Sequence, residues 1–148
     1  MKIKLQFCEG GFMSSDNLIE EGSELHLDFS KISSINNDVI PCAVQDIDSG
    51  EVILVAYVND EALKLALKCR AAVFWSTSRN EIWEKGKTSG ETFALLEVLV
   101  NCEQNSLVYK VRPNAGGICH TKNQNGDPRN CYYRSIDFSS TSLKNMDL

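Results

Sequence analysis

The stretch VIPCAVQDIDSGEVILVAYVNDEALKLALKCR, residues 39–70, decides the fold. It opens with two β-branched runs, Val39 to Gln45 and Val52 to Val58, and the Asp48-Ser49-Gly50 sequence between them is typical of a turn. Asn59 is a suitable cap for a helix that continues to about residue 70, with acidic residues in its first turn. Helical spacing predicts a buried stripe made of Ala62, Leu63, Ala66 and Leu67. The stretch therefore predicts two strands followed by one helix.

Outside this stretch the sequence is mostly strand-like. Residues 71–76 and 81–85 are expected to pair as a hairpin with Arg79-Asn80 at its turn, and residues 92–102, 106–111 and 131–137 are further strand candidates. Because strands outnumber the helix (about 59–70), we predict a β-rich α+β fold with curved antiparallel sheets. We expect a loose N-terminal extension over residues 1–25, one domain over 26–137 and a frayed polar tail over 138–148.

Length and charge narrow the functional classes. The chain has 148 residues, which suits one domain, and no apolar run is long enough to cross a membrane. Lys2 and Lys4 resemble the start of a signal peptide, but Cys8, Glu9 and Gly10 interrupt the apolar run that should follow, so a cytoplasmic protein is predicted. The net charge of −5 argues against general nucleic-acid binding, although one nucleotide in a locally basic pocket remains compatible with it.

The cysteines are candidate metal ligands. Six cysteines in a cytosolic chain are not expected to form disulfides, and Cys102, Cys119 and Cys131 could give a zinc ion three thiolates and leave a fourth position for water. A closely spaced C-x-x-C pair is absent, so spacing alone favours ordinary buried cysteines, as it does for Cys8, Cys42 and Cys69. His120 directly follows Cys119 and becomes a candidate proton carrier, since imidazole ordinarily titrates near neutral pH.

The run NCEQN, residues 101–105, has oxygen ligands around its cysteine. In an extended strand Asn101, Glu103 and Asn105 share one face and Cys102 points to the other. Oxygen ligands suit a hard cation such as Mg²⁺, whereas sulfur suits zinc. The alternative is a polar strand end that enters a turn, and these residues alone favour that alternative.

The segment WSTSRNEIWEKGKTSG, residues 75–90, could hold a flat anionic ligand. Its two tryptophans either pack in the core or stack on a base, and its basic residues either grip phosphate or, diluted by Glu81 and Glu84, form an exposed mixed-charge hairpin. Lys87 is a further possible phosphate donor. The predicted substrate-binding residues are Trp75, Ser76, Ser78, Arg79, Trp83, Lys85, Gly86, Thr88, Ser89 and Gly90.

Six motifs between about Leu27 and Ile136 occur in the order found in one enzyme family: PCAVQDIDSGEVILVAYVNDEAL, FWSTSR, WEKGKTSG, NCEQNSL, ICHT and CYYR. The chain resembles phosphoribosyl-AMP cyclohydrolase, an enzyme of histidine biosynthesis. The resemblance implies zinc-dependent hydrolysis of the N1–C6 bond of the adenine ring in 1-(5-phosphoribosyl)-AMP. It also implies an intertwined homodimer whose zinc site is shared, with Cys102 from one subunit and Cys119 and Cys131 from the other, and a Mg²⁺ site at residues 101, 103 and 105.

The chain departs from the family pattern at positions that matter for binding. Acidic residues usually stand where this chain has Asn101 and Asn105, so the implied Mg²⁺ site is degraded. The use of Mg²⁺ by this protein is therefore doubtful. Glu91 stands where His or Asn is usual, Thr77 replaces an Arg, and the loop between Cys119 and Cys131 is longer than usual. Two alternatives stay open: a divergent paralogue acting on another purine-like ring, and a non-catalytic zinc-stabilised dimer that binds nucleotides or a protein partner.

Overall fold

The structure is a computed structural model that describes residues 19–25, 38–115 and 117–148. Most of the predicted N-terminal extension (residues 1–18) and the start of the predicted domain (residues 26–37) lie outside these ranges. The described elements, in chain order, are β1 (Ile40–Asp46), β2 (Val52–Val58), α1 (Asp60–Cys69), β3 (Val73–Ser76), β4 (Glu81–Glu84), β5 (Phe93–Val100), β6 (Leu107–Pro113), β7 (Arg134–Ile136) and β8 (Leu143–Asn145).

Six strands form one sheet in the order β4-β3-β2-β1-β6-β5. All neighbouring pairs are antiparallel except β1 and β6, which run parallel with Val44 opposite Tyr109. The β-rich α+β class is therefore confirmed, but the expectation of purely antiparallel sheets is wrong. The error has a physical reason: alternation along a strand reports which face is buried and carries no information on the direction of its neighbour.

The sheet curls so that its two ends approach each other. A bridge joins Ala71, just before β3, to Ala94 in β5. Ala72 N–H donates to the Phe93 carbonyl at 3.1 Å, and Leu95 N–H donates to the Arg70 carbonyl at 2.9 Å. This closure surrounds a single core, whose largest fully buried side chains are Tyr109, Phe74, Phe93, Ile53, Val44, Val58, Val111 and Cys42.

The helix α1 begins and ends where the sequence predicts. Asn59 caps it, with its side-chain oxygen accepting from Ala62 N–H at 2.8 Å, and Arg70 ends it in a left-handed conformation with φ 53°. Ala62 and Ala66 are fully buried, but Leu67 is 50% exposed. The predicted stripe was therefore too wide, because an apolar face on a helix does not reveal how much of that face its neighbour covers. No helix in the described ranges is long and apolar enough to cross a membrane.

The C-terminal residues form a second, two-stranded sheet rather than a frayed tail. β7 pairs antiparallel with β8, with Ile136 opposite Leu143. The turn between them is organised by Asp137, whose Oδ1 accepts from the backbone N–H and hydroxyl of both Ser139 and Ser140. The polar residues that indicated a tail are thus the residues that satisfy this turn.

Candidate metal and substrate site

The long loop between the second and third candidate cysteines is a small hairpin. Cys119 N–H donates to the Arg129 carbonyl at 3.0 Å, Arg129 N–H donates to the Thr121 carbonyl at 3.1 Å, and Lys122 bridges to Pro128. Asn123 closes the turn by accepting from the N–H of Gly126 and, through its side chain, from that of Asp127. The hairpin returns the chain so that Cys131 lies beside Cys119.

The two thiols lie close together. Removal from water is the main cause of the rise in the pKa of the Cys131 thiol to about 12, although the residue as a whole keeps exposed surface. The adjacent Cys119, through charge and a side-chain hydrogen bond, adds to the rise in this pKa, whereas Lys85 opposes it. Thr121, itself buried, donates its hydroxyl to the Cys119 sulfur at 3.3 Å. The pair is thus close, partly shielded from solvent and next to a positive charge.

His120 lies at the edge of this pair with one ring nitrogen on each of two partners. Its Nδ1 is 3.9 Å from the Cys119 sulfur and its Nε2 is 2.5 Å from a carboxylate oxygen of Glu20. The carboxylate orients the ring and favours the proton on Nε2. The His120 side chain is 80% exposed, so the ring is accessible to solvent.

Of the predicted phosphate donors, Lys85 is the one that the structure brings to the cysteines. Its ammonium donates to the Glu91 carbonyl at 3.2 Å and lies 4.7 Å from the centre of the Phe93 ring. Arg79 instead pairs with Glu81 at 2.8 Å, and Lys87 pairs with Glu84 at 3.0 Å. These two ion pairs are exposed, so Arg79 or Lys87 could leave its carboxylate partner and bind an anionic ligand instead.

The two tryptophans do not form one stacking surface. Trp83 is opposite Phe74 across β3 and β4, with ring centres 5.3 Å apart, whereas Trp75 is opposite Ile82. Successive residues of a strand point to opposite faces, so Trp75 and Trp83 lie on different sides of the hairpin. Trp83 packs against the core, and among the described side chains the Trp75 indole nitrogen is the one buried polar atom without a hydrogen-bond partner.

The small residues of this segment shape the loop after β4. Gly86 has φ 81°, and a Cβ there would stand 2.3 Å from the Glu91 carbonyl carbon, so the position tolerates only glycine. Gly90 also has positive φ, and its N–H donates to the Gly86 carbonyl at 2.8 Å. Ser76 and Ser78 lie 3.4 Å apart through their hydroxyls, Ser89 accepts from Glu91 N–H, and Thr88 is exposed.

Cys102, the first of the three candidate cysteines, lies in a different part of the fold from Cys119 and Cys131. Cys102 is exposed in the turn between β5 and β6, where Gln104 has φ 54°. The NCEQN run is therefore a turn at the end of a strand, as its residues alone favoured, and not an extended strand. The turn still gathers the three oxygen-bearing side chains: Asn101 donates to Asn105 at 2.6 Å, and Asn105 donates to Glu103 at 3.1 Å. Because these groups satisfy one another and hold one carboxylate, they fit Mg²⁺ poorly.

Within one chain, the described residues contain no group of three or more His, Cys, Asp or Glu side chains placed to hold a metal ion. The two thiols of Cys119 and Cys131, with a hydroxyl donor on the Cys119 sulfur, are a soft donor pair that fits half of a zinc site. These two thiols therefore need further ligands to complete a zinc site, and the described residues of the same chain do not place a third ligand to bind the ion with them.

Sequence reasoning missed four residues around the cysteines. Glu20 and Glu21 belong to a segment with no hydrophobic period, and nothing local connects them to positions 100 residues away. Thr121 and Arg129 each lie two residues from a candidate cysteine, but nothing in the sequence distinguishes them from the other polar residues of the loop, and only the structure shows that both are buried.

Comparison with known proteins agrees with the motifs. The family model described as phosphoribosyl-AMP cyclohydrolase matches residues 54–133. The phosphoribosyl-AMP cyclohydrolase of Methanothermobacter thermautotrophicus is 45% identical over 100 residues, which cover 68% of each chain. The enzyme of the same name from Cenarchaeum symbiosum is 40% identical over 110 residues, covering 74% of this chain and 93% of that protein.

A third relative joins this region to another one. The histidine biosynthesis bifunctional protein HisIE of Thermus thermophilus is 39% identical over 110 residues, which cover 74% of this chain and 49% of that protein. The family match covers more than half of this chain and includes the hairpin of Cys119 and Cys131. The chain therefore belongs to the phosphoribosyl-AMP cyclohydrolase family.

Proposed function

We propose that this protein hydrolyses the N1–C6 bond of the adenine ring in 1-(5-phosphoribosyl)-AMP, as a step of histidine biosynthesis. The names of its relatives support the reaction. The observation that carries the assignment to this site is the pairing of the Cys119 and Cys131 thiols beside Lys85. It combines a soft donor pair for a metal with a cation suited to a phosphorylated substrate.

Cys119 and Cys131 would hold zinc, with Cys102 as the third ligand. Zinc, when bound, lowers the pKa of a coordinated water and makes hydroxide available near neutral pH. Thr121 would keep the Cys119 sulfur oriented through its hydroxyl. His120, held by Glu20 and open to solvent, is our candidate to accept a proton from the attacking water. Lys85 would bind a phosphate of the substrate.

A homodimer would complete the site. Cys102 does not join the other two cysteines within one chain, so we propose that a second copy supplies it. Exposed apolar side chains support a contact along the part of β5 that continues past the bridge at Ala94 as the edge of the sheet: Leu96, Leu99 and Val100 are 41–57% exposed. Leu67 of α1 and Val98 line an open cleft beside them.

Mixing two inactive variants tests the shared site directly. If each site takes Cys102 from one copy and the other two thiols from its partner, Cys102→Ala and Cys131→Ala refolded together form heterodimers with one intact site. Statistical pairing then restores about a quarter of the wild-type activity and zinc content. The matched control is Cys119→Ala mixed with Cys131→Ala, which restores nothing. Equal recovery in both mixtures, or none in the first, rejects the arrangement.

The reaction itself is tested by following the ultraviolet absorbance of purified protein with phosphoribosyl-AMP. We expect turnover that a zinc chelator abolishes and added zinc restores. Turnover that survives complete removal of zinc would refute the zinc-dependent mechanism. The Mg²⁺ concentration should be varied in the same assay, because residues 101–105 hold a single carboxylate and predict a weak response.

A divergent specificity is the second candidate, and Glu91 favours it. The Glu91 carboxylate lies against Gly117, where a Cβ would stand 1.9 Å from it, and the Glu91 carbonyl accepts from Lys85. The family usually has His or Asn at this position, so Glu91 adds a negative charge on a residue whose backbone holds the proposed phosphate-binding lysine, and added negative charge disfavours an anionic ligand. Tight zinc binding with no turnover of phosphoribosyl-AMP, but turnover of another purine-like ring, would support this candidate. Zinc binding with no turnover of any such ring would support a non-catalytic dimer.

A further inference from the structure

Residues 19–25, which precede the region matched by the family model, lie against the cysteine hairpin and the C-terminal sheet. Arg134 donates to the Ile19 carbonyl at 2.7 Å, and the Tyr133 hydroxyl donates to the Glu20 carbonyl at 2.6 Å. Leu143 N–H in β8 donates to the Ser23 carbonyl at 2.7 Å. These contacts join segments more than 100 residues apart in the sequence and bring Glu21 to the hairpin.

Arg129 is the buried residue of the hairpin that this segment contacts, through Glu21. Its side chain is 3% exposed, and its guanidinium makes three contacts of different kinds. It donates through Nη1 to Glu21 at 2.7 Å and through Nε to the Asp147 carbonyl at 2.8 Å, and it lies 4.5 Å from the centre of the Tyr133 ring. A buried charge without such partners is strongly unfavourable, so the position of Arg129 depends on them.

The backbone of the same residue connects both cysteines. The Arg129 carbonyl accepts from Cys119 N–H, the Arg129 N–H donates to Thr121, and Cys131 follows two residues later. A displacement of the Arg129 side chain would therefore shift the two strands of the hairpin and change the separation of the thiols.

We propose that Glu21 and Arg129 are positioning residues that fix the Cys119–Cys131 pair for metal binding. The proposal rests on the function proposed above, in that the two thiols are zinc ligands. Glu21 touches neither thiol and acts through Arg129. Residues 19–25 would then support the Cys119–Cys131 pair through Glu21 and would not be a loose extension.

The test compares Glu21→Gln with Asp48→Asn in the full-length protein. Asp48 forms a two-pronged pair with Arg112 at 2.7 and 2.9 Å, so this control also removes one carboxylate charge from an arginine, but outside the contacts that hold the hairpin. We expect Glu21→Gln to weaken zinc binding about tenfold in a chelator competition, which is the usual effect of losing a supporting contact around a metal ligand. Asp48→Asn should leave zinc binding unchanged.

Hydrogen exchange of the metal-free protein gives a second readout that does not depend on zinc. In Glu21→Gln the amides of Cys119 and Arg129 should exchange faster, whereas those that pair β1 with β2 should not change. Arg129→Met should weaken zinc binding at least as much, and adding Glu21→Gln to it should have no further effect, since both act through one contact. Glu21→Asp, which keeps the charge, should fall between Gln and wild type.

Unchanged exchange at both amides in Glu21→Gln would overturn the proposal, as would fully additive effects of the two substitutions. Failure of the proposed function looks different. If wild-type protein binds no zinc, the zinc assignment falls, and the exchange rates alone decide whether Glu21 and Arg129 order the hairpin. If wild type binds zinc and Glu21→Gln binds it equally well, the zinc assignment stands and the positioning role is rejected.

Discussion

The buried thiol of Cys42 should make the protein sensitive to alkaline pH. Cys42 is fully buried at the centre of the sheet, and loss of water contact raises its pKa from 9.0 to about 12, partly opposed by a hydrogen bond with the Tyr109 backbone. In the unfolded chain the thiol ionises from about pH 9, whereas in the folded chain it keeps its proton up to about pH 12. The unfolded state therefore binds fewer protons than the folded state in this window, and stability falls as pH rises.

The magnitude follows from the difference between these two values. A change from 9.0 to about 12 corresponds to about 4 kcal/mol in full, at about 1.4 kcal/mol per pKa unit. Between pH 9 and pH 11 the expected loss from this thiol is about 2 kcal/mol of the free energy of unfolding. Burial also raises the pKa of Tyr109, which adds a loss in the same direction.

Cys42→Ala isolates the contribution of the thiol. Denaturant unfolding of the variant and the wild type should be measured at several pH values from 7 to 11. The variant will be less stable at neutral pH because it leaves a small cavity, but its stability should decline less steeply above pH 9. The gap between the two proteins should close by about 2 kcal/mol by pH 11, with Tyr109 present in both. A gap that stays constant over this range would refute the reasoning.

Four further predictions concern the helix, the core, the loop and the metal. Asn59→Ala should cost about 1 kcal/mol of stability by removing the cap on Ala62 N–H, which thermal unfolding would measure; no loss would show the cap to be replaceable. Phe74→Ala should cost about 3–5 kcal/mol in denaturant unfolding, because the ring is fully buried, and a loss below about 1 kcal/mol would contradict the packing described. Gly86→Ala should cost at least about 2 kcal/mol, since its Cβ would overlap the backbone of residue 91 at positive φ; unchanged stability would disprove that overlap. Zinc affinity should rise about tenfold per pH unit near neutrality for each thiol proton displaced, because the raised pKa keeps Cys131 protonated there, and a pH-independent affinity in chelator competition would argue against thiolate ligation.

The parts of the fold that depend on local chemistry were predictable from sequence. The hairpin of β3 and β4 turns at Arg79-Asn80, and Asn80 has φ 51°, a conformation that asparagine tolerates well. The cap at Asn59 is equally local. The direction of β6 beside β1 was not predictable, because it depends on the path of the 60 or so residues between the two strands rather than on either strand alone.

The candidate site likewise has residues that the sequence indicated and contacts that it did not. Cys119, His120 and Cys131 could be chosen as candidates from residue type and from motif order, yet the hairpin that joins the two cysteines is visible only in the structure. The contact between Glu21 and Arg129 spans 108 residues and follows no periodic pattern. A single sequence holds no signal for such a pair, since each partner taken alone reads as an ordinary surface charge.

The parallel pairing of β1 with β6 has a consequence for biosynthesis. The middle of the sheet remains incomplete until residues 107–111 have left the ribosome and met residues 42–46, so β1 and β2 must wait as an apolar hairpin with an unpaired edge while residues 59–111 are synthesised. Such a closure is slow because a long loop must be ordered before any contact compensates for it. We therefore expect nascent chains that stop before residue 107 to need chaperone protection, and longer chains to escape aggregation once β6 docks.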